Sequence, residues 1–172
     1  MLVFLIGFMG VGKTTTGRKL AKRLQLPFLD MDDAFAQYFG TSVASTLEEK
    51  GEQFFRQQEH ELLKMLIATT KDAVISTGGG VPCHNNNMQV MNEAGITLYL
   101  SAPVGALMVR ISQSRTSRPL VRDKKGEELR TFITHLLELR RPYYEQAQIS
   151  ADALSVSAEQ LERVLRNYGT NF

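Results

Sequence analysis

Cysteine is almost missing from this sequence: Cys83 is the single instance in 172 residues. One thiol cannot close an internal disulfide, so the fold must hold itself by its core, which fits a reducing compartment. An excess of charge is missing too. Formal net charge is +2, too little to bind a polyanion over the whole surface, so any basic function must be local. No apolar run approaches the ~20 residues that cross a bilayer. The opening MLVFLI lacks a basic leader region and is cut short by Gly7 and Lys13, so it reads as a buried strand rather than a signal or anchor. There is no internal repeat and no low-complexity tract, and His60, His84 and His135 are scattered without metal-ligand spacing. These absences predict a soluble, cytoplasmic protein with no membrane partner. With 43% hydrophobic and 22% charged residues, the composition is that of one ordinary globular domain over residues 1–172.

Short β-branched or leucine-rich runs alternate with helical patterns. Strands are predicted over 2–6, 28–30, 73–76 and 96–100, and helices over 13–24, 33–39, 42–50, 52–69, 86–93 and 106–112. A further helical pattern covers 127–146, where Pro142 suggests a kink or break, and Ser157 with Gln160 forms a capping box for a last helix ending near Gly169. Such alternation predicts an α/β fold, a parallel sheet covered by helices on both faces. The one compositional departure is 112–128, SQSRTSRPLVRDKKGEE, polar and basic with Pro119 and Gly126. A loop this long inside a compact domain is functional or disordered. It carries no aromatic platform, so nucleic acid is not expected as a partner.

The stretch Gly7-Phe8-Met9-Gly10-Val11-Gly12-Lys13-Thr14 fits G-x-x-x-x-G-K-[ST] between an apolar strand and an amphipathic helix. Glycines let backbone N–H groups close around phosphate oxygens, and the following helix adds positive potential at the same spot. Lys13 would reach the β- and γ-phosphates, and the Thr14 hydroxyl would hold magnesium. The competing reading is a glycine-rich strand-to-helix turn. No N-K-x-D tetrapeptide is present to read guanine, and the strand at 73–76 ends toward Gly78-Gly79-Gly80 rather than in an aspartate. Carboxylates come earlier, as Asp30 and Asp32 at the end of the second strand. Two apart on a strand they would share a face, at the carboxyl edge where α/β sheets bind ligands. One would serve magnesium and one the acceptor hydroxyl, unless one merely caps the next helix, a task open to Asp32 or Asp33.

P-loop, Asp-x-Asp, Gly-Gly-Gly and a basic loop with Arg118-Pro119-Leu120 follow one another in a short chain. Together with Gly51-Glu52-Gln53-Phe54-Phe55-Arg56 and Arg140-Arg141-Pro142-Tyr143-Tyr144, they make the sequence resemble the shikimate kinase family from Leu2 to about Tyr144. The resemblance implies a P-loop fold of the nucleoside monophosphate kinase type, with a five-stranded parallel sheet, a substrate-binding segment near 32–60 and a lid near 112–128. It implies transfer of the γ-phosphate of ATP to the 3-hydroxyl of shikimate, with Mg2+, in aromatic amino-acid biosynthesis. Carried over by position, Gly10, Val11, Gly12, Lys13, Thr14 and Thr15 would hold ATP phosphates, with Thr14 on the magnesium and Asp30 on it through water. Asp32, Arg56, Gly78, Gly79, Gly80 and Arg140 would hold shikimate, and Arg118 would reach from the lid to the transferring phosphate. Lys13, Asp32 and Arg118 form the implied catalytic set. For the arginine that stacks on adenine in family members, Arg110 and Ile111 are equally good matches. No match to the family's second adenine neighbour occurs in 150–157.

The residues support an acidic acceptor on their own, since paired guanidinium donors match a carboxylate. Arg56 has an alternative as a surface partner of Glu52 or Glu59, and Arg140 as part of a solvated basic face with Arg141. Two arginines around one small site repel, so without ligand the site is expected to be strained or to hold an anion. Cys83 reads as a structural thiol, and Phe54, Phe55 and Leu47 as core, with lining a ring-shaped substrate the alternative for Phe55. A monomer is expected. Another small-molecule kinase of this fold, for gluconate or a nucleotide, is the runner-up.

Overall fold

A computed structural model of the chain describes residues 1–114 and 119–169. Strands β1 (Leu2–Ile6), β2 (Phe28–Asp30), β3 (Ala73–Ser76), β4 (Ile96–Ser101) and β5 (Ile149–Asp152) form one parallel sheet in the order β2-β3-β1-β4-β5. Around it lie α1 (Lys13–Leu24), α2 (Met31–Phe39), α3 (Val43–Lys50), α4 (Glu52–Thr69), α5 (Asn87–Ala94), α6 (Val104–Gln113), α7 (Gly126–Tyr144) and α8 (Ala158–Gly169). Among the described residues no helix is long and apolar enough to cross a membrane.

The unbroken apolar run of β1 has a direct cause. Leu2, Phe4 and Ile6 feed one core while Val3 and Leu5 feed the other, as alternate side chains of a strand covered on both faces must. The first core takes Phe35 of α2, Phe55 and Leu62 of α4 and Ile133 of α7; the second takes Leu20 of α1 and Leu161 and Leu165 of α8. Burying each such side chain contributes about 1.5–3 kcal/mol of transfer free energy. Because β1 sits between β3 and β4, the chain crosses to opposite sides of it, and a crevice opens at the carboxyl ends of these strands.

Three departures from the sequence reading have simple reasons. Strand β5, ISAD, pairs only with β4 and is half-buried, so it lacks the apolar signature of an inner strand. Helix α7 runs through Pro142 to Tyr144, because a proline in the last turn forfeits one hydrogen bond where the helix is about to end. Phe54 is 46% exposed while Phe55 is buried, since neighbours on a helix face different sides.

Candidate active site

The loop after β1 is built on glycine geometry. Gly7, Gly10 and Gly12 have φ of +144°, +80° and +102°, a region that side-chain-bearing residues rarely adopt. Gly12 is the N-cap of α1, and no side chain caps that helix, which leaves its first N–H groups directed at the crevice. Lys13 is buried and curled along the loop, donating to the carbonyls of Gly7 (2.7 Å) and Phe8 (3.1 Å). A cleft of about 520 Å3 runs from this loop past Asp30 and Asp32 to Gly78 and Gly79.

Asp30 and Asp32 do share the cleft, though not as neighbours on a strand. The chain turns into α2 at Met31, with Asp30 as its N-cap and Asp32 in its first turn. Asp30 Oδ1 accepts the Asp32 N–H at 3.1 Å, and its Oδ2 accepts the Thr14 hydroxyl at 2.8 Å. The capping task thus falls to Asp30 rather than to Asp32 or Asp33, because it satisfies an otherwise unpaired N–H at the helix start. Thr14 and Asp30 form an all-oxygen pair suited to a hard cation that keeps water and phosphate ligands. Among the described residues no cluster of three His, Cys, Asp or Glu is gathered for a metal, so an ion here must take most of its ligands from elsewhere.

The residues expected to hold the acceptor come together from α4, α7 and the glycines after β3. Arg56 makes both pairs offered as its alternative, to Glu59 at 2.7 Å and Glu52 at 3.4 Å, yet its side chain is only 13% exposed. A Cβ added to Gly80 would meet its guanidinium group, so the end of the Arg56 side chain lies close against the Gly80 backbone. Arg140 is buried, over the ring of Phe8 at 5.7 Å, and its Nη1 would stand 3.2 Å from a Cβ on Gly79. Arg141, by contrast, is exposed. Arg56, Gly80 and Arg140 lie just beyond the residues that line the cleft itself.

Glu59 is the residue that sequence reasoning passed over as a mere surface partner. It is buried beside Arg56, and its Oε1 would lie 3.3 Å from a Cβ on Gly78, while Asp32 Oδ1 would lie 3.5 Å from the same point. Burial pushes its carboxyl above the usual value; the charge and hydrogen bond of Arg56 pull it down, Asp32 pushes it up and Arg140 pulls it down. The expected repulsion between the two arginines therefore meets an anion the protein carries itself. The signal was available: Glu59 interrupts the apolar stripe Phe55, Leu62, Leu63, Leu66 of α4, where a carboxylate needs a partner.

The remaining candidates separate clearly. Arg110 lines the cleft and donates to the Val11 carbonyl at 2.6 Å, whereas Ile111 is buried in the core. Burial pushes the Cys83 thiol up to about 11, against the pull of Arg140 and Arg56, so it stays protonated as a structural thiol. Arg118 lies outside the described residues, as do residues 115–117 just before it.

Against known proteins, the family model for shikimate kinase matches residues 9–168. The shikimate kinase of Parabacteroides distasonis is 42% identical over 157 residues, 91% of this chain and 90% of that protein. A crystal structure of shikimate kinase from Bacteroides thetaiotaomicron superposes with a TM-score of 0.87 at 35% identity, over 99% of this chain and 97% of that one. Shikimate kinase from Acinetobacter baumannii, solved in complex with shikimate, gives 0.84 at 32% identity, over 99% and 93%. The fold is accordingly the α/β, nucleoside-monophosphate-kinase-like one, and neither gluconate nor a nucleotide gains support as acceptor. A family model running through nearly the whole sequence, on a fold shared with crystal structures of its members, makes this chain a member of the shikimate kinase family.

Proposed function

We propose that this chain, an ATP-dependent kinase by its family, transfers the γ-phosphoryl group of ATP to the 3-hydroxyl of shikimate as follows. Gly10 to Thr15 hold the phosphates through backbone N–H groups and the start of α1, and Lys13 leaves its loop carbonyls for the β- and γ-phosphate oxygens. Thr14 and Asp30 would hold Mg2+, which when bound neutralises charge on the phosphates. Asp32 orients the acceptor hydroxyl and takes its proton. Arg56, Arg140 and Gly78 to Gly80 hold the acceptor, with the guanidinium groups on its carboxylate. Arg110 borders the nucleotide end, and Arg118 acts on the transferring phosphoryl group from a lid near 112–128. The acceptor segment near 32–60 and the lid belong to a single domain, working as a cytoplasmic monomer with ATP and shikimate as its only partners.

One observation carries this reading: a single cleft joins the phosphate loop to Asp32 and the glycines backed by Arg140. Phosphoryl transfer is chiefly positioning and charge neutralisation, and that arrangement sets cations at both ends with a carboxylate between them. A coupled ADP-release assay with shikimate, gluconate and nucleoside monophosphates tests it. Turnover is expected with shikimate; turnover confined to gluconate or a nucleotide would overturn the acceptor assignment.

A further inference from the structure

We propose that the Tyr144 hydroxyl is a positioning group for the acceptor site, fixing the Gly79–Gly80 peptide in the orientation that the acceptor's carboxylate end requires. The inference rests on the acceptor reading above and adds a residue to it. Tyr144 is fully buried beside Tyr99, ring centroids 5.2 Å apart, and its hydroxyl donates to the Gly79 carbonyl at 2.6 Å. That carbonyl and the Gly80 N–H belong to one planar trans unit. Holding the carbonyl toward Tyr144 aims the N–H to the opposite side.

The geometry matters because of what flanks this peptide. A Cβ on Gly79 would stand 3.2 Å from Arg140, and one on Gly80 would collide with Arg56, so the unit lies between the two guanidinium groups. Among the described residues the Gly80 N–H donates no hydrogen bond within the protein. It is therefore a third donor, fixed in direction, for an anion held by the two arginines. A peptide between two glycines turns over at little steric cost, so its orientation has to be imposed from outside, and the Tyr144 hydroxyl imposes it.

Tyr144 also follows Arg140 by four positions on α7, so both emerge on one helix face. The chain just after them is held in place: Asn92 donates to the Gln146 carbonyl at 3.0 Å, and the Gln148 side chain accepts the Thr97 N–H at 3.1 Å. One anchored helix end thus supplies a cation for the acceptor and the clamp on its neighbouring peptide. Burial pushes the Tyr144 phenol well above its ordinary value, more than the charge and hydrogen bonding of Arg140 pull it down. The hydroxyl stays a donor at neutral pH.

Tyr144→Phe keeps the ring and removes the hydroxyl, and with it the bond to the Gly79 carbonyl and the interaction with Arg140. Steady-state kinetics of the full chain with MgATP should show the shikimate KM raised about three- to tenfold, the effect of one lost hydrogen bond. The ATP KM and kcat should each change by less than about twofold. Tyr99→Phe, which alters the same aromatic pair without touching Gly79, should leave the shikimate KM unchanged. An unaltered shikimate KM in Tyr144→Phe overturns the proposal. So does an equal rise in both KM values with a lowered Tm, or a Tyr99→Phe variant that behaves the same way, since either would show packing rather than positioning. If the wild-type chain does not phosphorylate shikimate at all, the acceptor reading fails and takes this proposal with it, a result distinct from a silent Tyr144→Phe.

Discussion

The two ends of the cleft are built on opposite plans. The nucleotide end is contiguous: one loop, Gly7 to Thr14, supplies glycines, lysine and hydroxyl around an uncapped helix start. The acceptor end is scattered over Asp32 of α2, Arg56 and Glu59 of α4, the glycines after β3, and Arg140 and Tyr144 of α7. Phosphates are alike in every nucleotide and suit a rigid nest of N–H groups. A small hydroxy acid must be told from its analogues, which takes side chains converging from several directions, each depending on its neighbours. Substitutions should therefore have separable effects across the two ends and coupled effects within the acceptor end.

The largest expected effect sets the two ends against each other directly. Lys13→Ala should weaken nucleotide binding and lower the rate together, whereas Asp32→Asn should leave binding of a fluorescent ATP analogue nearly intact while kcat falls by about 10²–10⁴. Equal loss of nucleotide affinity in both variants would erase the division. A smaller effect is expected at Arg140. Its replacement by alanine should raise the shikimate KM at least about tenfold, from the loss of ~1.4 kcal/mol or more of charge-assisted hydrogen bonding. The ATP KM should change far less, and a KM rise shared by both substrates would break the comparison.

The smallest effect concerns Glu59 and is read in stability. Its carboxyl lies above the ordinary value of 4.5 because burial outweighs the pull of Arg56. The folded state therefore holds the proton more tightly than the unfolded chain. The associated stability is fully present below 4.5 and is lost as pH rises through the folded-state value. In Glu59→Gln that loss should vanish, so the Tm of wild type relative to the variant should fall as pH is raised from about 4.5 toward neutrality. Thermal melts over that range check it, and parallel Tm curves for the two proteins would show that Glu59 is not the buried group that titrates.

Legibility in the sequence follows the same division. The strand, loop and first helix were readable because 2–24 are consecutive: an apolar run, glycines at fixed spacing and an amphipathic helix each leave a local mark. Strand β5 left none, since an edge strand of four residues is held by its pairing with β4. Asp30 and Asp32 share the cleft for a reason other than strand alternation, because β2 ends at Asp30, two residues short of Asp32, and a helix cap takes over. Arg110 and Ile111 were interchangeable in the sequence and became opposites once α6 packed, one in the cleft and one in the core.

The sequence by itself determined the class of chemistry. Backbone phosphate binding needs glycines, a lysine and a helix start in one order, and that order is covalent. Only the tertiary structure decided the acceptor end. Arg56 was one more helical arginine until the fold buried most of it against Glu59 and Gly80. Glu59 was one more helical glutamate until the fold buried it, and the Tyr144 hydroxyl gained its partner only when α7 met the loop after β3. The Tyr144–Gly79 contact joins residues 65 positions apart, and no local propensity encodes a distance that only the packing of helices on a sheet brings to zero.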